Sequence, residues 1–392
     1  MLHFNAVYFT FLFLFTAPLI HANDSVEVRE VLQSKYLNEE RIVTVKLPQS
    51  YSTGSNKAYP VIYILGSIDN MLPSMIERMI TSDAAPEVII VGIENTDRLR
   101  DLTPTVNYDP RGPVGKGGGA DNYLDFIEME LMPHLNKTYR TNNFTIVSGS
   151  SIGGLLVLHT LQSRPSMFTA YIAFSPAVWW DKITRKKLKT FFSKTPSLDK
   201  YLYMNIGEEG GDMRADYDDI HTFLQNNKPA NFKFVSDAFD DVAHGLTAPA
   251  GMFNAYHNLF LSLRMPYKAL TDDPKSILNY YEKLSWQHGE TITPPEWAIR
   301  ELAYSLMGKK ELSGALHLFK FNIELHPDSA DAYDGLAYFL EQQGQYNEAL
   351  KQANLALSFA KEDNKRYEAF IERTNKLKSL VIDNELVQSS KL

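Results

Sequence analysis

Ser151 lies in Gly149-Ser150-Ser151-Ile152-Gly153, a serine with a glycine two residues away on either side. A serine hydroxyl attacks a carbonyl only when a base takes its proton and donors await the charge that develops on oxygen. The glycines allow a sharp strand-to-helix turn without a Cβ clash and lift the hydroxyl into the open. Phe144-Thr145-Ile146-Val147-Ser148 ahead of it reads as a strand, and Leu155 to Leu161 behind it as an apolar helix, which is the setting this turn needs. Ser150 lacks the paired glycines, so Ser151 is the expected nucleophile. The Ile152 N–H, at the helix start, is an expected oxyanion donor.

In hydrolases built on such a turn the acid and then the base follow the nucleophile, each after a later strand. His244 meets that order: a strand at Phe232 to Ser236, a polar turn at Asp237 to Ala243, then His244-Gly245. His159, His221 and His257 fall in helical stretches, and His134 precedes the nucleophile. After the strand Tyr201 to Ile206 comes Gly207-Glu208-Glu209-Gly210-Gly211-Asp212, three carboxylates in one glycine-rich turn. Glu209 is the expected acid, with Asp212 the alternative. Arg98, Arg100 and Asp101 follow a strand end, on the side where α/β sheets bind ligands. Arg100 is the candidate for an acidic or catecholate-like substrate; the same charges could equally pair with one another to hold the loop. Trp179 and Trp180 either wall a substrate pocket or belong to the core.

The elements that must position these groups alternate. Val43 to Leu47 alternates as a half-buried strand, whereas Val61 to Leu65 and Val88 to Gly92 are continuous apolar runs, expected of strands covered on both faces. Ala170 to Phe174 is a further candidate strand. Asn122 to Asn136, Ile152 to Gln162 and Asp216 to Asn226 carry the helical period. Strand and helix in turn imply a mainly parallel sheet with helices on both faces, an α/β domain over 25–265. Past Pro266 the strands stop. Residues 296–327 and 330–361 superpose at a period of 34, Leu302 on Leu336, Ala303 on Ala337, Leu306 on Leu340 and Ala315 on Ala349. That period suggests two tetratricopeptide-like repeats in an all-α region over 274–392, with a protein partner as one use of them.

Composition bounds the rest. The 392 residues suit two domains; 44% hydrophobic and 22% charged content is that of a globular chain. A net charge of -8 leaves no basic footprint for nucleic acid. With no cysteine, thiolate catalysis, disulfides and cysteine-held metals are excluded. Phe4 to Ile20 is uncharged and apolar, and Ile20-His21-Ala22 offers a small-residue cleavage site before Asn23. Residues 1–22 therefore read as a secretory signal, with an uncleaved membrane anchor as the alternative, and the protein as periplasmic or secreted.

Residues 25–265 resemble the esterase family of α/β-hydrolases that includes esterase D, the enterochelin (siderophore) esterases and feruloyl esterases. The resemblance rests on Tyr59 to Leu65, Val91 to Pro104, the turn at Ser151, Phe174-Ser175-Pro176 through Trp179-Trp180-Asp181, and Asp241 to Gly245. It implies a carboxylic ester hydrolase with a serine triad, no metal and no cofactor, acting on a small-molecule ester. Family members commonly carry Asp-Gly after the strand ending at Leu65, where a backbone amide completes the oxyanion hole. Here the residues are Gly66-Ser67, and Ser67 is taken as that donor. Some siderophore esterases of the family manage with a Ser–His pair, which leaves the acid open. An acyltransferase on the same fold, and a repeat-type binding protein with an inert hydrolase domain, are the alternative functions.

Overall fold

The computed structural model describes residues 26–52, 58–69, 71–82, 84–110, 112–180, 182–261, 274–288, 291–360 and 366–389. The expected signal at 1–22 lies outside them. Eight strands form one sheet: β1 (Glu27–Ser34), β2 (Glu39–Lys46), β3 (Tyr59–Ile64), β4 (Ile89–Ile93), β5 (Thr141–Ser150), β6 (Ala170–Phe174), β7 (Tyr201–Ile206) and β8 (Lys233–Ala238), in the order β1-β2-β4-β3-β5-β6-β7-β8. β1 and β2 pair antiparallel with their neighbours, and β4 through β8 are parallel. The antiparallel β1 at one edge carries no continuous apolar run, and the sequence pattern did not single it out. Pro60 in β3 has no N–H for the ladder, and the β3–β5 register shifts between Tyr59 and Val61.

Helices cover both faces. They are α1 (Met71–Thr81), α2 (Arg98–Leu102), α3 (Ala120–Phe126), α4 (Met132–Thr138), α5 (Ile152–Ser163), α6 (Lys182–Lys194), α7 (Gly211–Asn227) and α8 (Thr247–Phe260). A π-helical turn, Ile127–Leu131, joins α3 to α4. The pleat divides the strand side chains. Val61, Tyr63 and Val147 enter the larger core with α3 to α7, while Ile62 and Ile146 enter a second core under α1 and α8. Fully burying a side chain of this size stabilises by roughly 1.5–3 kcal/mol, so two such cores are the main support of a chain without disulfides.

An all-helical region follows: α9 (Pro274–His288), α10 (Glu296–Gly308), α11 (Leu312–Leu325), α12 (Ala330–Gln342), α13 (Tyr346–Phe359) and α14 (Tyr367–Ser389). The residues matched at 34-residue spacing are buried together in its separate core: Leu302 with Leu336, Ala303 with Ala337, Leu306 with Leu340 and Ala315 with Ala349. Ile277, Tyr281 and Leu284 of α9 join that core.

One buried charge network ties β2 to α2. The Arg41 and Asp101 side chains are both fully buried, 2.8 Å apart, and Arg41 also donates to Glu39, Thr96 and the Glu94 carbonyl. Arg100 closes the network on Glu39 and Asp101. The Arg100 hydrogen bond, opposed by burial and aided by Arg41, holds the Glu39 carboxyl down at about 2. Removing one member of a buried pair leaves the other charge without compensation. Asp101→Asn should therefore lower the unfolding free energy by about 3 kcal/mol in urea titration. A loss below about 1 kcal/mol would mean that Glu39 and Thr96 satisfy Arg41 alone.

Candidate active site

Ser151 stands between the end of β5 and the start of α5, with φ 59° and ψ −117°. Such a left-handed backbone is costly for a residue with a Cβ and persists only where neighbours impose it. They do so here: Ser151 N–H donates to the Phe174 carbonyl at 2.9 Å, and its own carbonyl accepts from Leu155 and Ala177. Gly149 is required because a Cβ there would fall 2.5 Å from the Gly153 backbone. A Cβ on Gly153 would make only ordinary contacts, so the tight approach is paid on the strand side of the turn. The result puts Ser151 at the N-terminus of α5, where the first N–H groups have no helical partner. Ile152 N–H is the first of them.

His244 opens a short 3-10 helix, His244–Leu246, ahead of α8. Its Nδ1 lies 2.6 Å from Glu209 Oε1. A carboxylate accepts, so Nδ1 carries the hydrogen and Nε2 is left with the lone pair a general base needs. Glu209 is nearly buried, with 8% of its side chain exposed. Its Oε1 also accepts from the Ser175 hydroxyl, and its Oε2 from the Gly207 N–H. Burial by itself would raise its pKa, but the hydrogen bonds from Ser175, His244 and backbone N–H groups outweigh it and hold the carboxyl below its ordinary value. Arg214 fixes the turn by donating to the Glu209 and Gly207 carbonyls. Asp212 is not in that turn: it is exposed in the first turn of α7. The structure therefore brings Glu209, and not Asp212, to His244. The Ser151 hydroxyl itself has no hydrogen-bond partner among the described residues.

Other expected residues divide between the site and its surroundings. Gly66 N–H bonds the Ile64 carbonyl at 2.9 Å, which leaves the N–H of Ser67 as the next backbone donor after β3. Arg100 is engaged by Glu39 and Asp101, which assigns its guanidinium to the loop network instead of a ligand. Arg98 is the cation nearer the nucleophile: it donates to the Ser150 carbonyl at 3.0 Å and has no carboxylate partner among the described residues. It lines a cavity of about 180 Å³ with Gly66, Ser67, Ser150, Ala248 and Met252. Trp180 is buried and donates from Nε1 to the Thr105 carbonyl, pinning the loop after α2, while Trp179 is half-buried against it. Neither tryptophan lines that cavity.

Sequence reasoning missed Ser175, Asn205 and Thr247 as parts of the site. Asn205 is fully buried, accepts from Ser175 N–H at 2.8 Å and donates to the Thr247 carbonyl at 2.7 Å. Thr247 in turn donates from Oγ1 to the His244 carbonyl at 2.9 Å. The available signal was an asparagine inside the apolar strand Tyr201 to Ile206, since a buried polar side chain must find partners.

Residues 34–245 match the model of the family described as "Putative esterase". Ferri-bacillibactin esterase BesA of Bacillus subtilis is 32% identical over 187 residues, which are 42% of this chain and 64% of that protein. The siderophore enterobactin esterase of Emericella nidulans is 37% identical over 116 residues, 26% of this chain and 38% of the relative. The chain thus spans less than two thirds of the length of these curated relatives. Among solved structures, an IroE-like serine hydrolase from Shewanella oneidensis superposes with a TM-score of 0.65 at 26% identity, over 76% of this chain and 99% of the other. A protein from Capnocytophaga ochracea, 18% identical, shares the fold with a TM-score of 0.63 over 90% of this chain and 100% of its own.

The depressed Glu209 pKa links this site to stability. A carboxylate whose folded pKa lies below its unfolded value of about 4.3 stabilises fully above that pH and loses the contribution as pH falls through the folded value. Glu209→Gln should therefore be less stable than the parent protein at pH 6, with the gap closing below about pH 4. Urea unfolding measured across that range tests it, and a gap independent of pH would show that the Glu209 charge is not what stabilises.

Proposed function

This chain belongs to the "Putative esterase" family, and from that premise we propose that it is a serine carboxylic ester hydrolase working through an acyl-enzyme on Ser151. The observation that carries the reading is the 2.6 Å contact of His244 Nδ1 with a buried Glu209, reached from the loops after β8 and β7, while β5 presents Ser151 in a left-handed turn. His244 Nε2 takes the Ser151 proton as Oγ attacks the ester carbonyl. Glu209 holds the imidazole in the needed tautomer and stabilises its charged form. The oxyanion of the tetrahedral intermediate is met by the N–H groups of Ile152 and Ser67. His244 then gives the proton to the leaving alcohol, and water attacks the acyl-enzyme by the same route in reverse.

The substrate is an ester of the siderophore type, supported by the names of the relatives BesA and the enterobactin esterase. Arg98, beside the nucleophile and without a carboxylate partner among the described residues, suits the anionic oxygens of such a molecule better than Arg100 does. The helical region is read as tetratricopeptide-like, and the protein as exported, in keeping with residues 1–22. Among the described residues no helix is long and apolar enough to cross a membrane.

A fluorophosphonate should label the protein at Ser151. Ser151→Ala should lose the label and about four or more powers of ten in turnover on a siderophore or short aryl ester, with Ser150→Ala still labelled. A Ser151→Ala protein as fast as its parent would end the reading.

A further inference from the structure

Ser175 is the residue next after β6, and the chain turns there with φ 39°, a left-handed value that a residue with a Cβ adopts only under constraint. It is fully buried. A buried hydroxyl must donate somewhere, and the carbonyls of a strand end are the usual acceptors. This one donates instead to Glu209 Oε1, the oxygen that also faces His244 Nδ1. Its main chain is held as firmly: the Ser175 N–H bonds Asn205 Oδ1, while Asn205 Nδ2 bonds the Thr247 carbonyl beside His244. Backbone and side chain of Ser175 are thus clamped between the acid and the segment that carries the base.

We propose that Ser175 is a positioning residue for the catalytic unit: its hydroxyl fixes the Glu209 carboxylate and shares with His244 the oxygen that holds the imidazole. The proposal rests on reading Glu209 as the acid of the esterase. Two donors on one oxygen divide its negative charge. Without the hydroxyl, Oε1 would bear on His244 alone, and the imidazolium would be favoured over the neutral base that must accept the Ser151 proton. The other charged or titratable groups around the pair stay in place. Arg214 meets the turn through its carbonyls, Glu208 and Asp212 are exposed, Asp240 and Asp241 are exposed in the loop before His244, and Tyr217 of α7 is buried.

Two variants remove the hydroxyl differently. Ser175→Ala keeps a Cβ in the left-handed turn, whereas Ser175→Gly relieves that strain and guards against a folding defect. The His244 ring is titrated by NMR in the parent and both variants, and kcat is followed against pH on a short aryl ester. Both variants should raise the His244 midpoint by about half a unit or more, move the acid limb of the rate profile up with it, and lower kcat roughly tenfold. A midpoint that stays or falls in either variant overturns the proposal, since a merely structural serine would leave the ring's titration alone. The titration needs no turnover, so an inactive parent would sink the esterase reading while this result stood or fell separately.

Discussion

The carboxyl edge of the sheet depends on one buried amide. β7 lies between β6 and β8, and Asn205 near its end is in register with Phe174 on one side and Asp237 on the other. A side chain placed there reaches the loops that follow both neighbours. Its oxygen takes the Ser175 N–H and its nitrogen reaches the Thr247 carbonyl, so a single uncharged group with an acceptor and a donor joins the acid's partner to the base's segment. An aspartate would lack the donor, and a leucine would leave the buried Ser175 N–H without its acceptor and cut the tie to the Thr247 carbonyl at the start of α8. Close approach of α8 is part of the same arrangement: a Cβ on Gly251 would fall 2.3 Å from Asn205 Nδ2 and 2.2 Å from the Tyr203 hydroxyl. Constellations of this kind work only when held within about 0.5 Å, and loops alone do not hold that tolerance.

Two serines, Ser151 and Ser175, carry left-handed backbones in this edge, and each such residue costs on the order of 1–3 kcal/mol. They are not independent. Ser151 N–H bonds the Phe174 carbonyl, immediately before Ser175, and Ala177 N–H bonds the Ser151 carbonyl. The turn after β5 and the turn after β6 therefore constrain one another, and both are backed by the apolar α5, whose Leu155 to Leu158 are fully buried. Strain concentrated at two adjacent turns and offset by the core beneath is the pattern expected where a hydroxyl has to be presented in a fixed direction.

What the sequence made legible follows from what leaves a local mark. Continuous apolar runs identify β3 and β4, because strands covered on both faces have no polar side to show. The G-x-S-x-G turn and the order of strands after it pointed to Ser151, Glu209 and His244, and in the structure Glu209 and His244 are in contact while Asp212 has gone into α7. Arg100 is the candidate the sequence offers for a substrate, but Arg98 and Arg100 both follow β4, and only the fold decides that Glu39, from a different strand, takes up Arg100. Ser175 and Asn205 left almost no mark: their partners are 34 and 42 residues away in sequence, and a lone polar residue carries no period. Trp179 and Trp180 could line a pocket or fill a core; Trp180 is buried, bonded to Thr105, and does not line the cavity.

The helical region uses buried charge as the sheet domain does. Asp334 and Glu341 of α12 are nearly buried, and Arg366, Arg373 and Lys376 reach them from α14 and the residues before it. Buried ion pairs contribute little net stability over apolar packing, but a wrongly placed helix would leave those carboxylates uncompensated. They select one seating for α14 on α12, where the small alanines of the helix crossings would tolerate several. In the sheet domain the buried pair Arg41–Asp101 sets the loop that carries Arg98 in the same way. In both regions the apolar cores supply the stability and the buried charges restrict the geometry. Ser151, Ser175, Asn205, Glu209 and His244 all stand on strands of the sheet or in the segments that directly follow them, so the chemistry proposed here is built on the sheet and its own loops.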